Sequence, residues 1–336
     1  MKIMHKIGAA AVAGVLFLSA CDSQKTEITE TAQEMPVSSV NIEKELAERF
    51  SVTDENKYLI EDSIQDVYAE ADKEGVTLKV LQTIAYENMI CILAEADLEE
   101  GIEKVTEDYY INAKCDFSVE GRASLHRSGS SEYSYDEEKK SLTYLCTYVF
   151  DTPELEEGMT LNLQLSEISK GKEEFPPEAF DENGELREDY DPTEIMWQPE
   201  EPLTVSWTLE KIGKSVETDI DDESIVDGKI ALTPLYVYVS ANKSDYAKWF
   251  YPEGQPETDE ERLLWVLAEE NFAKTVRLVH KNGYYIDAYN QTGVKLHDLS
   301  ENTGAFNVLK AFFMVLDPEE VEFVEISNQK YKVNKD

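Results

Sequence analysis

The sequence predicts a mainly β protein, built as two antiparallel β-sandwich-like domains with a few short helices. Three observations predict it. Apolar and polar residues alternate with period two in many short runs, the pattern of strands with one face buried. Gly, Pro, Asn and Asp separate these runs at the short intervals of an antiparallel sandwich. Apolar residues make up 42% and aromatics 10% of 336 residues, which is enough for real cores. About 290 residues remain once the N-terminal segments are set aside, a length that suggests two domains.

The chain opens with a segment of another kind. Lys2 and Lys6 precede an apolar run over 7–18, and Leu18-Ser19-Ala20-Cys21 follows. This is the three-part layout of a secretory signal over 1–20, with small residues at the cut. The ending resembles a bacterial lipobox, in which Cys21 is acylated and becomes the new N-terminus. The alternatives are an ordinary secretory signal and an N-terminal anchor left in place. The apolar run is shorter than the ~20 residues of a spanning helix. The expected location is therefore the cell surface, lipid-anchored at the outer face of the cytoplasmic membrane. Residues 21–40 are polar, lack an apolar period and read as a lipidated flexible tether.

The first domain is expected over 41–212. Leu46, Phe50, Leu59, Ile60, Ile64, Val67 and Tyr68 recur at three or four and predict helix within 41–72. After Gly75 the period becomes two: 76–81 reads as a strand and 89–94 as its partner, with 86–88 as the turn. Strands follow at 112–120, 141–150, 159–167 and 203–210. Ser128-Gly129-Ser130-Ser131 reads as a turn. The segment 172–201 holds twelve acidic residues, two basic ones and four prolines, the composition of a mobile acidic insertion.

The second, smaller domain is expected over 213–336. One strong strand spans 229–240. Thr258 and Glu261 form a capping box ahead of a helix carrying Leu263, Leu264, Leu267 and Phe272. Asn282-Gly283 between 274–281 and 284–289 signals a hairpin with a two-residue turn. Residues 306–313 read as helical or irregular, and 321–326 and 331–333 as the last strands.

Lysine and arginine number 31 against 70 acidic residues, a net charge of −39. Such a surface repels nucleic acid, whose binders need a basic footprint. It serves solubility or the binding of cations or a basic partner. Beyond Cys21 there are Cys91, Cys115 and Cys146, an odd number. Cys115 and Cys146 alternate with core-facing neighbours and read equally as a disulfide or as buried thiols. Three cysteines without a CxxC pair do not make a zinc site. His126, His280 and His297 form no HExxH and read as solvated surface residues. No GxSxG, phosphate-binding loop or GxGxxG occurs. Residues 181–185 and 219–223 offer hard oxygen ligands without EF-hand register, so no metal or cofactor is expected. One aromatic cluster remains: Tyr246, Trp249, Phe250 and Tyr251 read as a stacking surface for sugar or peptide, or as a loop packed on the domain edge.

The pieces GVTLKVLQTIAYENMICILAEAD, PLTVSWTLEKI, GKIALTPLYVYVS, VRLVHKNGYYIDAYNQ and FFMVLDPEEVEFVEI, spread over 55–333, carry a resemblance. Together they resemble the immunoglobulin-like extracytoplasmic region of unknown function of Gram-positive anti-sigma-factor-like proteins. The resemblance implies a β-sandwich domain followed by a smaller β domain, and no catalytic residues. This chain differs in having a signal and lipobox where those proteins have a sigma-binding segment and a spanning helix. The expected function is that of a non-catalytic surface lipoprotein for protein interaction or envelope sensing, with an envelope or membrane protein as partner. The alternative is a lipoprotein that binds glycan or a small ligand.

Overall fold

The computed structural model describes residues 40–100, 109–122, 127–150, 153–172, 193–221, 225–244, 276–286, 289–290, 295–297, 304–312, 314–326 and 329–333. Among the described residues nine strands precede residue 210: β1 (Ile64–Lys73), β2 (Val76–Tyr86), β3 (Met89–Leu98), β4 (Tyr109–Val119), β5 (Arg127–Asp136), β6 (Ser141–Phe150), β7 (Thr160–Lys172), β8 (Glu194–Trp197) and β9 (Leu203–Thr208). They form two antiparallel sheets, one in the order β1-β2-β3-β6-β5 and one in which β7 pairs with β4, β8 and β9. The inner faces of these sheets enclose one core, with Phe117 packed among Tyr148, Phe150 and Trp207.

The later strands are β10 (Val216–Asp219), β11 (Ile225–Val226), β12 (Lys229–Leu232), β13 (Tyr236–Ser244), β14 (Arg277–His280), β15 (Tyr285–Ile286), β16 (Tyr289–Asn290), β17 (Lys295–His297), β18 (Gly304–Ala311), β19 (Val321–Ile326) and β20 (Gln329–Lys332). One sheet runs β10-β12-β13-β18-β16, with β11 on β13 and β17 on β18; the other runs β15-β14-β19-β20. Val237, Val239, Val308, Leu278 and Val324 lie in the core between them. The expected mainly β, antiparallel, sandwich-like architecture is what the chain adopts.

A third core joins the sandwiches. The outer face of the first sheet supplies Ile84, Tyr86, Met89, Cys91, Leu93, Leu145 and Val149. The β13–β18 face supplies Tyr236, Tyr238, Leu309 and Ala311, and Leu46 and Phe50 of helix α1 (Lys44–Arg49) and its C-cap close over them. Tyr86 meets Tyr236 edge to face, with centroids 5.7 Å apart, and the Asn88 N–H donates to the Tyr236 hydroxyl. Fully burying a side chain of this size contributes ~1.5–3 kcal/mol, so the junction is a core and not a hinge. Gln82, fully buried, fastens the N-terminal arm. Its carbonyl accepts from Glu43 N, and its amide donates to Asn41 O and Asp66 Oδ1.

Several elements differ from what the sequence predicts, each for a physical reason. Of the helix within 41–72 only α1 and two short 3-10 turns form, and 64–73 is strand. Ile64 faces the third core while Val67, Ala69 and Ala71 face the first, and the register slips between Asp66 and Ala69. That bulge, with Tyr68 at φ 49°, turns a period of two into an interval of three. The turn before β3 is Glu87-Asn88, with Tyr86 paired to Met89. Residues 128–131 lie in β5, not in a turn, and pair in unbroken register with β6. The described end of the 172–201 insertion contains a strand, β8, paired with β7.

The single strand expected over 229–240 is two strands. The chain reverses at Thr233-Pro234-Leu235, where Thr233 Oγ1 accepts from both Leu235 N and Tyr236 N. Proline lacks the N–H that a central strand needs. Residues 304–311 form β18, a central strand. It is buried on both faces, Val308 in one core and Leu309 in another, which erases the alternation. The Asn282-Gly283 hairpin forms with a three-residue loop, in which His280 N donates to Tyr284 O and Gly283 takes φ 82°. The capping-box helix at 258–272 lies outside the described residues.

Candidate functional site

The residues nominated by sequence do not converge. Cys21 and the aromatics Tyr246, Trp249, Phe250 and Tyr251 lie outside the described residues, as does His126. Cys115 and Cys146 are thiols, not a disulfide. Cys115 is on β4 and Cys146 on β6, in opposite sheets of the first sandwich. The Tyr144 hydroxyl is within hydrogen-bonding reach of both thiols, and the Tyr148 hydroxyl lies 3.4 Å from that of Tyr144. Burial pushes Cys115 up to about 12 and Cys91 up to about 11, so neither is a ready nucleophile at neutral pH. Among the described residues no three His, Cys, Asp or Glu side chains gather as a metal site.

His280 is not the solvated residue its strand-end position suggests. Its side chain is 12% exposed and stacks on Tyr284. Nδ1 accepts from Asn282 N at 3.0 Å, which leaves the proton on Nε2, 3.3 Å from Glu320 Oε2. The imidazole thereby ties the β14–β15 hairpin to the 3-10 turn Pro318–Glu320. Lys281 N donates to Glu320 O in the same seam. His297 lies in strand β17 and not in a loop.

What the fold does assemble is a groove at the mouth of the second sandwich, between the edge strands β10 and β20. Its volume is about 900 Å³, and Glu217, Asp219, Glu319 and Glu322 line it with Lys281 and Lys332. Buried Thr218 forms the floor by donating from Oγ1 to Val333 O at 2.6 Å. The register of β10 determines which backbone groups face the groove. Ile220 N donates to Gly228 O, so the hydrogen-bonded pairs with β12 fall at Val216 and Thr218. Glu217 and Asp219 therefore point their N–H and C=O away from β12. Among the described residues these groups meet no backbone partner.

A smaller cavity of about 300 Å³ meets the groove at Val216 and Glu319 and runs to Tyr58, Asp62 and Tyr86. Gly213 makes it possible. The linker between the sandwiches passes directly over the Tyr86 ring, with Gly213 N donating to Ala85 O at 2.8 Å. The Tyr86 hydroxyl is buried, within hydrogen-bonding reach of the Ser63 hydroxyl. The Ser63 hydroxyl itself donates to Ile60 O. Burial, and then the charges of Asp317, Glu319 and Glu320, raise the Tyr58 phenol above its usual range. The cavity is thus an anionic environment that favours a positive group. None of this was legible in sequence, because β10 is only four residues long and shows no distinctive motif.

No family model matches the chain, and no curated protein matches it. Among solved structures it is similar to a conserved domain protein from Bacillus anthracis, at 12% identity and a TM-score of 0.44, over 79% of this chain and 78% of that one.

Proposed function

We propose that this chain is a non-catalytic protein of the cell surface, held to the outer face of the membrane by lipid on Cys21, which works by binding an envelope or membrane protein. The observation that supports binding is the groove: an open sheet edge, lined by charge, on two sandwiches held by a shared core. A rigid platform of this kind presents a surface at little ordering cost. The signal-like and lipobox-like segment supports the location, and the resemblance to extracytoplasmic regions of anti-sigma-factor-like proteins supports a role in envelope sensing. No helix among the described residues is long and apolar enough to cross a membrane, so in this reading any signal passes through the partner.

The test is photo-crosslinking in the producing cell, with the reactive group at position 217 or, as control, at exposed position 156 on the first sandwich. One discrete adduct with an envelope protein from 217 alone is expected, and it should vanish when Cys21→Ser frees the chain from the membrane. Equal adducts from both positions, or none from either, would refute the reading.

A further inference from the structure

We propose that β10 receives an extended, lysine- or arginine-bearing segment of the partner as an added strand. This rests on the binding role proposed above and specifies its chemistry.

Three features of the groove point the same way. The first is the backbone. Glu217 and Asp219 direct N–H and C=O groups outward along β10, and an extended segment is the ligand whose own groups recur at the matching spacing. Two other edges among the described residues, those of β1 and β20, are closed to this. The β1 edge is bulged at Asp66–Ala69, and Gln65 clasps it to Thr208 O and Glu210 N. The β20 edge carries exposed Lys330 and Lys332. Lysines and bulges are the usual defences against unwanted pairing. β10 has no bulge against β12, no proline and no lysine.

The second feature is charge. The side chains of Glu217 and Asp219 are exposed on one face of β10, where a neighbouring strand would set its own side chains opposite them. Opposite charges there attract and like charges repel, so the pair selects cationic residues at alternate positions and rejects acidic ones. The chain's net charge of −39 draws a cationic segment in from a distance.

The third feature is the cavity that continues the groove, where Asp62, Asp317 and Glu319 outnumber Lys214. An ammonium or guanidinium entering beside Asp62 and Glu319 meets opposite charge there.

The experiment uses the purified full-length chain in detergent and a fluorescein-labelled ten-residue peptide alternating lysine and valine. Fluorescence anisotropy should show saturable binding. A peptide alternating glutamate and valine should not bind. The lysine–valine peptide N-methylated at every residue keeps its charge but loses its backbone donors, and should bind at least about tenfold more weakly. Glu217→Pro removes an outward N–H without breaking a ladder bond to β12, and should cause a similar loss. Should that variant melt early, Glu217→Lys with Asp219→Lys provides the second arm, and its preference should switch to the glutamate peptide. Equal binding by the methylated peptide would reduce the contact to nonspecific charge attraction and overturn strand addition. So would no binding by the lysine–valine peptide. If crosslinking from position 217 persists in the cell while the peptides fail, the binding role stands and strand addition falls.

Discussion

Gly213 carries the chain from one sandwich to the other, and replacing it with alanine tests whether the junction is as tight as described. A Cβ at this position would press on the Tyr86 ring, at 2.7 Å from Cδ1 and closer still to Cε1, and on Ser63 Cβ at 2.8 Å. Neither side can retreat easily. The Gly213 N–H is bound to Ala85 O, and the Tyr86 ring is fully buried edge to face against Tyr236. Overpacking of this sort costs ~1–3 kcal/mol, and the pinned backbone puts the expected value near the top of that range. Tyr86→Ala alone should cost ~3–5 kcal/mol through its cavity. In the double variant the new methyl enters the space the ring has left, so the two losses should sum to at least ~1 kcal/mol more than the double variant shows. Urea unfolding followed by tryptophan fluorescence measures all four corners of the cycle. Because one core spans both sandwiches, a single transition is expected. A Gly213→Ala chain within ~0.5 kcal/mol of the parent, or strict additivity, would show that the linker does not bear on Tyr86 as the structure has it.

Two further outcomes follow from buried ionisable groups. Burial, with a smaller contribution from Arg277, holds the Lys310 ammonium down to about 8, against 10.5 in the unfolded chain. Between those values the unfolded chain holds a proton that the folded one has released, so Lys310 makes stability rise with pH from about 8 to about 10.5, by at most ~1.4 kcal/mol per pH unit. Lys310→Met should remove that increment when urea midpoints are compared between pH 7 and 10; an identical pH dependence in both chains would contradict it. For the thiols, brief iodoacetamide treatment at pH 8 should leave Cys91, Cys115 and Cys146 unmodified in the folded chain and alkylate all three in urea without reductant. Mass spectrometry that finds a single alkylated thiol in urea would restore the Cys115–Cys146 bridge.

Much of the fold was legible where one face of a strand meets water. The alternation around Phe117 and the run from Leu203 to Trp207 read correctly, and so did the Asn282-Gly283 hairpin apart from one more residue in its loop. Such strands bury every second side chain, and the sequence records it. Legibility failed in two settings. A strand buried on both faces can lose its period: β18, with Val308 in one core and Leu309 in another, reads as helix or irregular structure, whereas β6, also buried on both faces, was read as a strand. Strands rich in small polar residues, such as 128–131 in β5, read as turns, since only pairing with β6 makes them strand.

The candidate site was less legible still. The aromatic cluster at 246–251 stood out by composition, whereas the groove is made of ordinary residues from places far apart in the chain: Glu217 and Asp219, Lys281, Glu319 and Lys332. No local pattern marks them.

The amino-acid sequence by itself determined the mainly β class, most strand positions and the acidity, because each depends on neighbouring residues or on composition alone. Its first residues also carry the reading of a lipidated surface protein. Only the tertiary structure decided that the two sandwiches share a third core, that Cys115 and Cys146 lie on opposing sheets as thiols, and that β10 is an edge with its backbone turned into a groove. These depend on which face of a strand meets which partner across the molecule. That is settled by packing between elements more than a hundred residues apart, as where Thr218 meets Val333.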